Sequence, residues 1–82
     1  MKDLKIEIKS VFSEVFKISV DEIPDDLSYG EVAQWDSIGH LNLIVALEEE
    51  FNIRFSDDDV LDMLNIDLIH NIIDSKNAKS TG

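Results

Sequence analysis

Apolar residues recur every three or four positions in the first segment, at Leu4, Ile8, Val11, Phe12 and Val15. That spacing lays one apolar stripe along a helix. Lys5, Glu7, Lys9, Ser13 and Glu14 fall mostly on the other side, so an amphipathic helix is predicted over about Asp3 to Lys17. The period then breaks. Ser19 to Asp36 holds the only Pro and one of the three Gly, and is predicted to be a loop of roughly seventeen residues, long enough to need a function or its own apolar pins. Val20, Ile23, Leu27, Val32 and Trp35 are the candidate pins, and Tyr29-Gly30 reads as a turn in which glycine supplies a positive φ.

Helical spacing returns from Ser37 to Phe51. Placed at 100° intervals, Ile38, Leu41, Leu43, Ile44, Val45, Leu47 and Phe51 make a very wide apolar arc, leaving Gly39, Asn42, Ala46, Glu49 and Glu50 on a narrow face. Such a helix is expected to lie centrally, against more than one neighbour. Glu48 falls inside the arc, and nothing in the sequence accounts for it. Ser56, followed by Asp57, Asp58 and Asp59, reads as an N-cap with acids in the first turn, opening a short helix to about Met63. A last helix, about Ile66 to Ser75, brings Ile66, Ile69, Ile72 and Ile73 inward. The fold class predicted is all-α: a small four-helix bundle with a long first loop and a short third helix. Residues 1–75 form one domain and 76–82 a flexible tail. Phe12, Val15, Leu41, Val45, Leu47, Phe51, Ile69 and Ile72 are expected to share one core.

Charge narrows the partners. Eighteen acidic residues against seven basic ones give a formal charge of −11 over 82 residues, of which 44% are apolar. Nucleic acid and anionic membranes would be repelled by such a surface. Proteins with basic patches are the favoured partners, with simple solubility as the plainer use of the charge. No cysteine is present, which removes disulfides, thiolate metal sites and a cysteine nucleophile. The start of the chain lacks the apolar core of a signal peptide, and no apolar run approaches the roughly 20 residues that span a bilayer. A cytoplasmic monomer is expected.

The candidate chemistry sits where the loop becomes the second helix, at Trp35-Asp36-Ser37-Ile38-Gly39-His40-Leu41. Ser37 is predicted at or beside the N-cap with its hydroxyl at the surface. A helix N-terminus offers unpaired amides and partial positive charge, a setting suited to a phosphate group. A plain cap is the simpler reading, since Asp-Ser caps helices well. Against it, no Glu or Gln completes a capping box, and Gly39 in the first turn costs up to about 1 kcal/mol relative to Ala. That glycine suggests a surface which another protein approaches closely.

The stretch Asp-Ser-Ile-Gly-His-Leu-Asn-Leu-Ile-Val-Ala-Leu-Glu-Glu-Glu-Phe resembles the acyl carrier proteins, and the helix layout extends the resemblance over nearly the whole chain. The resemblance implies that Ser37 carries 4′-phosphopantetheine, donated by coenzyme A through a phosphopantetheinyl transferase. The arm's thiol then bears acyl groups as thioesters. It implies that Asp36 helps bind that transferase and its Mg²⁺, with a second capping side chain as the alternative role. Partner enzymes with basic patches would read Gly39, His40, Asn42, Ala46, Glu48 and Glu49. The protein would be a carrier and not an enzyme, its helices either sheltering the acyl chain or forming a closed core.

Other readings compete. Ser37 and His40 lie on one helix face, but hydrolysis also needs an orienting acid and an oxyanion hole, and a small bundle gives them little room. His70 reads as a helix-surface or core-edge residue. Asp25 to Asp36 mimics a calcium loop at its first, sixth and twelfth positions, but Leu27 and Tyr29 stand where oxygen ligands are needed. No specific metal site is expected there, nor at Asp57, Asp58, Asp59 and Asp62. An unmodified acidic adaptor is the alternative of another class. Within the carrier class, fatty-acid carriers usually place acids two and five residues after the serine, where Gly39 and Asn42 stand here. A discrete carrier of a specialised pathway, polyketide, nonribosomal peptide or related, is expected, with housekeeping fatty-acid synthesis as the alternative supported by Glu48, Glu49 and Glu50.

Overall fold

Asp3 starts the fold by capping: its carboxylate accepts the Lys5 amide, and helix α1 runs Leu4–Phe16. The computed structural model describes residues 3–80, with side chains through residue 76. Among these residues there are three further helices, α2 Ser37–Phe51, α3 Asp57–Asp62 and α4 Ile66–Ser80, and one 3-10 turn at Val20–Glu22. The all-α bundle with a short third helix is therefore present. Helix α4 continues five residues past its expected end at Ser75, into the stretch read as a tail. Its anchor there is Lys76, whose ammonium lies 2.8 Å from Asp59 and 5.8 Å from the Phe55 ring centre. Residues 81–82 lie outside the described residues.

Helices α1 and α2 stop in left-handed backbone, at Lys17 (φ 60°) and Asn52 (φ 53°), whose amides return to Ser13 and Glu48. Helix α3 opens with a full capping box: Ser56 Oγ accepts the Asp59 amide and the Asp59 carboxylate accepts the Ser56 amide. The Lys76 ammonium and the Ser56 amide together hold the Asp59 carboxyl below its ordinary range.

The core is built by Ile8, Val11, Phe12 and Phe16 of α1, Leu43, Ile44 and Leu47 of α2, and Ile66, Ile69 and Ile73 of α4. Ile23, Leu27 and Trp35 reach in from the long loop, and Met63 from the end of α3. Of the expected core residues, Phe12, Leu47 and Ile69 are buried, while Val15, Phe51 and Ile72 pack half-buried against them. Leu41 and Val45 do not belong to it: both are exposed, as is Ile38. Two stripes on α2 are apolar. The one through His40, Leu43, Ile44 and Leu47 faces α1 and the core, and the one through Ile38, Leu41 and Val45 faces solvent. Val20, read as a loop pin, is also exposed.

The loop is tied down by backbone. Leu27 carbonyl accepts the Ile66 amide at 3.1 Å, the Tyr29 amide donates to Leu64 carbonyl at 2.7 Å, and Ser28 bridges Asn65 between them. Gly30 takes the predicted positive φ, 86°, and its amide donates to Trp35 carbonyl. These bonds clamp residues 27–29 across the junction of α3 and α4. They place Tyr29 beside the tip of α2.

Candidate functional site

The tip of α2 is capped by Asp36, not by Ser37. The Asp36 carboxylate accepts the Gly39 amide at 2.8 Å, and its carbonyl accepts the His40 amide at 2.7 Å. Ser37 is the first helical residue and is exposed. Its amide and that of Ile38 are first-turn groups that no carbonyl of the helix reaches. The Ser37 hydroxyl thus stands at the positive end of a fifteen-residue helix, where a negative group is stabilised.

Tyr29 is the neighbour that sequence reading missed. Its hydroxyl lies 3.2 Å from Ser37 Oγ. Its ring packs edge-on against His40, centroids 5.5 Å apart, and against Trp35 at 6.1 Å. Only its turn geometry was legible, since the contact with Ser37 depends on the loop's ladder to the α3–α4 junction.

His40 is buried with both ring nitrogens occupied. Trp35 Nε1 donates to Nδ1 at 2.9 Å, and Nε2 lies 2.9 Å from Val60 carbonyl. Because an indole N–H only donates, Nδ1 is the acceptor and Nε2 carries the proton to Val60. No ring nitrogen is left to serve Ser37 as a base. His40 instead ties the loop, through Trp35, and the end of α3, through Val60, to the tip of α2.

Gly39 is buried as well, and its role differs from the one expected. A Cβ there would stand 1.9 Å from the Gln34 carbonyl oxygen and 3.2 Å from the Phe16 ring. The glycine lets the chain's own loop, not a visiting protein, lie against the helix. Of the other residues read as a partner face, Asn42 and Glu49 are exposed and Ala46 is half-buried on the core side. Glu48, half-buried, accepts the Phe55 amide through its carboxylate at 3.0 Å. That bond is the missing account of its position: it pins the turn from α2 to α3. His70 is half-buried on α4.

Beside Ser37 an open apolar groove of about 300 Å³ runs between α2 and α3, walled by Tyr29, Leu41, Val60, Leu61 and Leu64. Leu61 and Leu64 escaped notice in the sequence because the short helix α3, which holds Leu61 and ends just before Leu64, reads first as an acidic segment. The calcium-loop mimic has no convergent acids: Asp25 pairs with Lys9, which lowers its carboxyl below the ordinary range, Leu27 is buried, and Asp36 caps α2. Among the described residues no group of three or more His, Cys, Asp or Glu is placed to hold a metal ion. No helix among them is long and apolar enough to cross a membrane.

Residues 7–69 match the family model described as a phosphopantetheine attachment site. The chain is 32% identical over 79 residues to the acyl carrier protein of Buchnera aphidicola subsp. Schizaphis graminum, covering 96% of this chain and 100% of that one. It is 33% identical over 75 residues to the acyl carrier protein of Cyanidium caldarium, covering 90% of this chain and 87% of that one. A third, the acyl carrier protein of a Sulfurovum species, is 36% identical over 52 residues, or 63% and 69% of the two chains.

Proposed function

Because this chain belongs to the phosphopantetheine-binding acyl carrier protein family, we propose that Ser37 is its attachment residue and that it serves a dedicated biosynthetic pathway. Carriers of this family are substrates of other enzymes and not catalysts. They bear the covalent arm as cofactor and work with a phosphopantetheinyl transferase and acyl-handling enzymes. When bound, the arm supplies the thiol that this cysteine-free chain lacks.

The observation that carries the assignment is the exposed Ser37 hydroxyl at the positive tip of α2, opening onto an apolar groove. The residues fit the group: first-turn amides and the helix dipole favour a phosphodiester, and the groove offers apolar surface beside it. In loading, Ser37 Oγ bonds to the phosphorus that carries pantetheine, and that phosphorus loses its bond to adenosine bisphosphate. The serine proton passes to a base of the transferase, since His40 is committed elsewhere. Asp36 opposes the new negative charge by proximity, but its cap orients the helix tip, and its exposed carboxylate is proposed to meet the transferase and its Mg²⁺. Family membership favours this reading over an unmodified adaptor.

Co-expression with a broad-specificity phosphopantetheinyl transferase tests it by intact mass. One phosphopantetheine should be gained, and Ser37→Ala should gain none while keeping its fold. The loss of stability is expected to stay below about 1 kcal/mol, because the cap belongs to Asp36. An unchanged wild-type mass, or a loaded Ser37→Ala, would overturn the assignment.

The pathway proposal rests on the face beside the serine. Ile38, Leu41 and Val45 are 71%, 61% and 53% exposed, an apolar strip where charge would serve basic patches. Asn42 places no charge there. One charge partner at an exposed interface is worth up to about 1 kcal/mol, so restoring it with Asn42→Glu should speed malonyl transfer from a fatty-acid malonyltransferase by roughly fivefold. If the unaltered holo protein is loaded as fast as the variant, the housekeeping reading is preferred, which the exposed Glu49 and Glu50 favour. The proposed site of action is the cytoplasm, as a monomer, with 1–75 as the working domain and helix α4 extending beyond it to Ser80.

A further inference from the structure

We propose that Tyr29 is a positioning residue for the prosthetic arm: its phenol holds the phosphodiester on Ser37 and sets the direction in which the arm leaves the helix. The inference rests on the carrier reading. Its observation is the 3.2 Å contact between Tyr29 Oη and Ser37 Oγ, made from a loop position eight residues upstream. The mount of this tyrosine is stiff. Its amide is bonded to Leu64 carbonyl, its neighbours Leu27 and Ser28 are tied to Ile66 and Asn65, and the Ser28 amide donates to the Glu31 carboxylate at 2.6 Å. The ring rests edge-on against buried His40 and Trp35.

Such support is out of proportion to what the bond does for the bare chain. Between two exposed neutral hydroxyls, a hydrogen bond replaces contacts with water of similar strength, and its net effect is small. Modification changes the balance. Once esterified, Ser37 Oγ has no proton to give, so only the phenol can donate across the contact. The nearby non-bridging phosphate oxygens are anionic acceptors, and bonds to such groups are shorter and stronger than neutral ones. The same ring walls the groove of Leu41, Leu61 and Leu64. A phosphodiester held by Tyr29 therefore sends the arm's first bonds towards that groove and away from the Asp36 carboxylate.

The test loads wild type and Tyr29→Phe with unacylated phosphopantetheine, checks uptake by intact mass, and compares phosphorus-31 resonances of the native holo proteins. Phe keeps the ring and removes only the donor. The expected result is a native-state phosphorus resonance that moves in Tyr29→Phe towards its position in the urea-denatured holo protein, together with a shift of the Tyr29 Cζ resonance when wild type is loaded. Identical phosphorus resonances in two loaded, folded proteins would overturn the inference and leave the carrier reading intact. So would a Tyr29 Cζ resonance unchanged by loading, a measurement on wild type that stands even if Tyr29→Phe fails to fold or load. A wild-type chain that takes up no arm overturns the carrier reading, and this inference with it.

Discussion

Gly39→Asp is expected to lose about 3 kcal/mol or more of folding stability, a drop in melting temperature of roughly 12–24 °C for a domain of this size. The new Cβ would overlap the Gln34 carbonyl oxygen at 1.9 Å, with the Phe16 ring 3.2 Å away. A backbone oxygen cannot rotate aside as a side chain does, so either the loop or the first turn of α2 must move. Moving the loop drags Trp35, the next residue, out of the core. Moving the helix breaks the bond from Asp36 to the Gly39 amide. Gly39→Ala should lose nearly as much, which separates shape from charge. Urea titration and thermal melts of the apo protein measure both. An alanine variant melting within a degree or two of wild type would show that the loop yields freely, and that the glycine is not needed for packing. With the expected loss, the absent acid at this position is a consequence of how the loop lies on the helix, while the uncharged residue at Asn42, exposed, bears on partner choice.

Helix starts were legible because they are set locally. Asp3, Asp36 and Ser56 carry short polar side chains that take orphan amides, and Gly30 supplies the one turn conformation that a bulkier residue strains to adopt. The wide arc of α2 was legible only as an arc. Period alone does not say which of two adjoining apolar stripes faces inward when both are leucine, isoleucine and valine, so it puts Leu41 and Val45 inside and Gly39 outside. The inversion is the functional content of the helix: the stripe facing water is the one beside Ser37. Glu48 and Tyr29 resisted reading for a different cause. One bonds to Phe55 across a turn and the other meets Ser37 through a loop clamped on α4, and neither partner is implied by sequence spacing. The serine itself was found through its motif. It lies beside the N-cap, and Asp36 is the cap, which lowers the expected effect of Ser37→Ala on stability.

Trp35→Ala is expected to remove about 3–5 kcal/mol, most of the margin of an 82-residue domain, for which roughly 4–12 kcal/mol is ordinary. Trp35 is fully buried, 4.9 Å from the Phe12 ring centre and 6.0 Å from that of Phe16, and it donates its indole N–H to His40. The alanine leaves a cavity at the meeting point of α1, α2 and the loop, and an unpaired nitrogen on His40. Two milder variants divide these costs. Trp35→Phe fills much of the space but orphans His40 Nδ1, a buried acceptor whose desolvation costs about 1–3 kcal/mol. His40→Leu orphans the indole N–H in the same way. If the bond matters as described, the double variant should lose clearly less than the sum of the two singles, because neither polar atom then waits for a partner. The pair also carries the site, since the Tyr29 ring rests on both side chains. In Trp35→Phe, the Tyr29 Cζ resonance of the apo protein should shift even at temperatures where the chain stays folded. Strict additivity in the cycle, with Tyr29 undisturbed, would mean that the indole–imidazole bond neither stabilises the fold nor seats the tyrosine against Ser37.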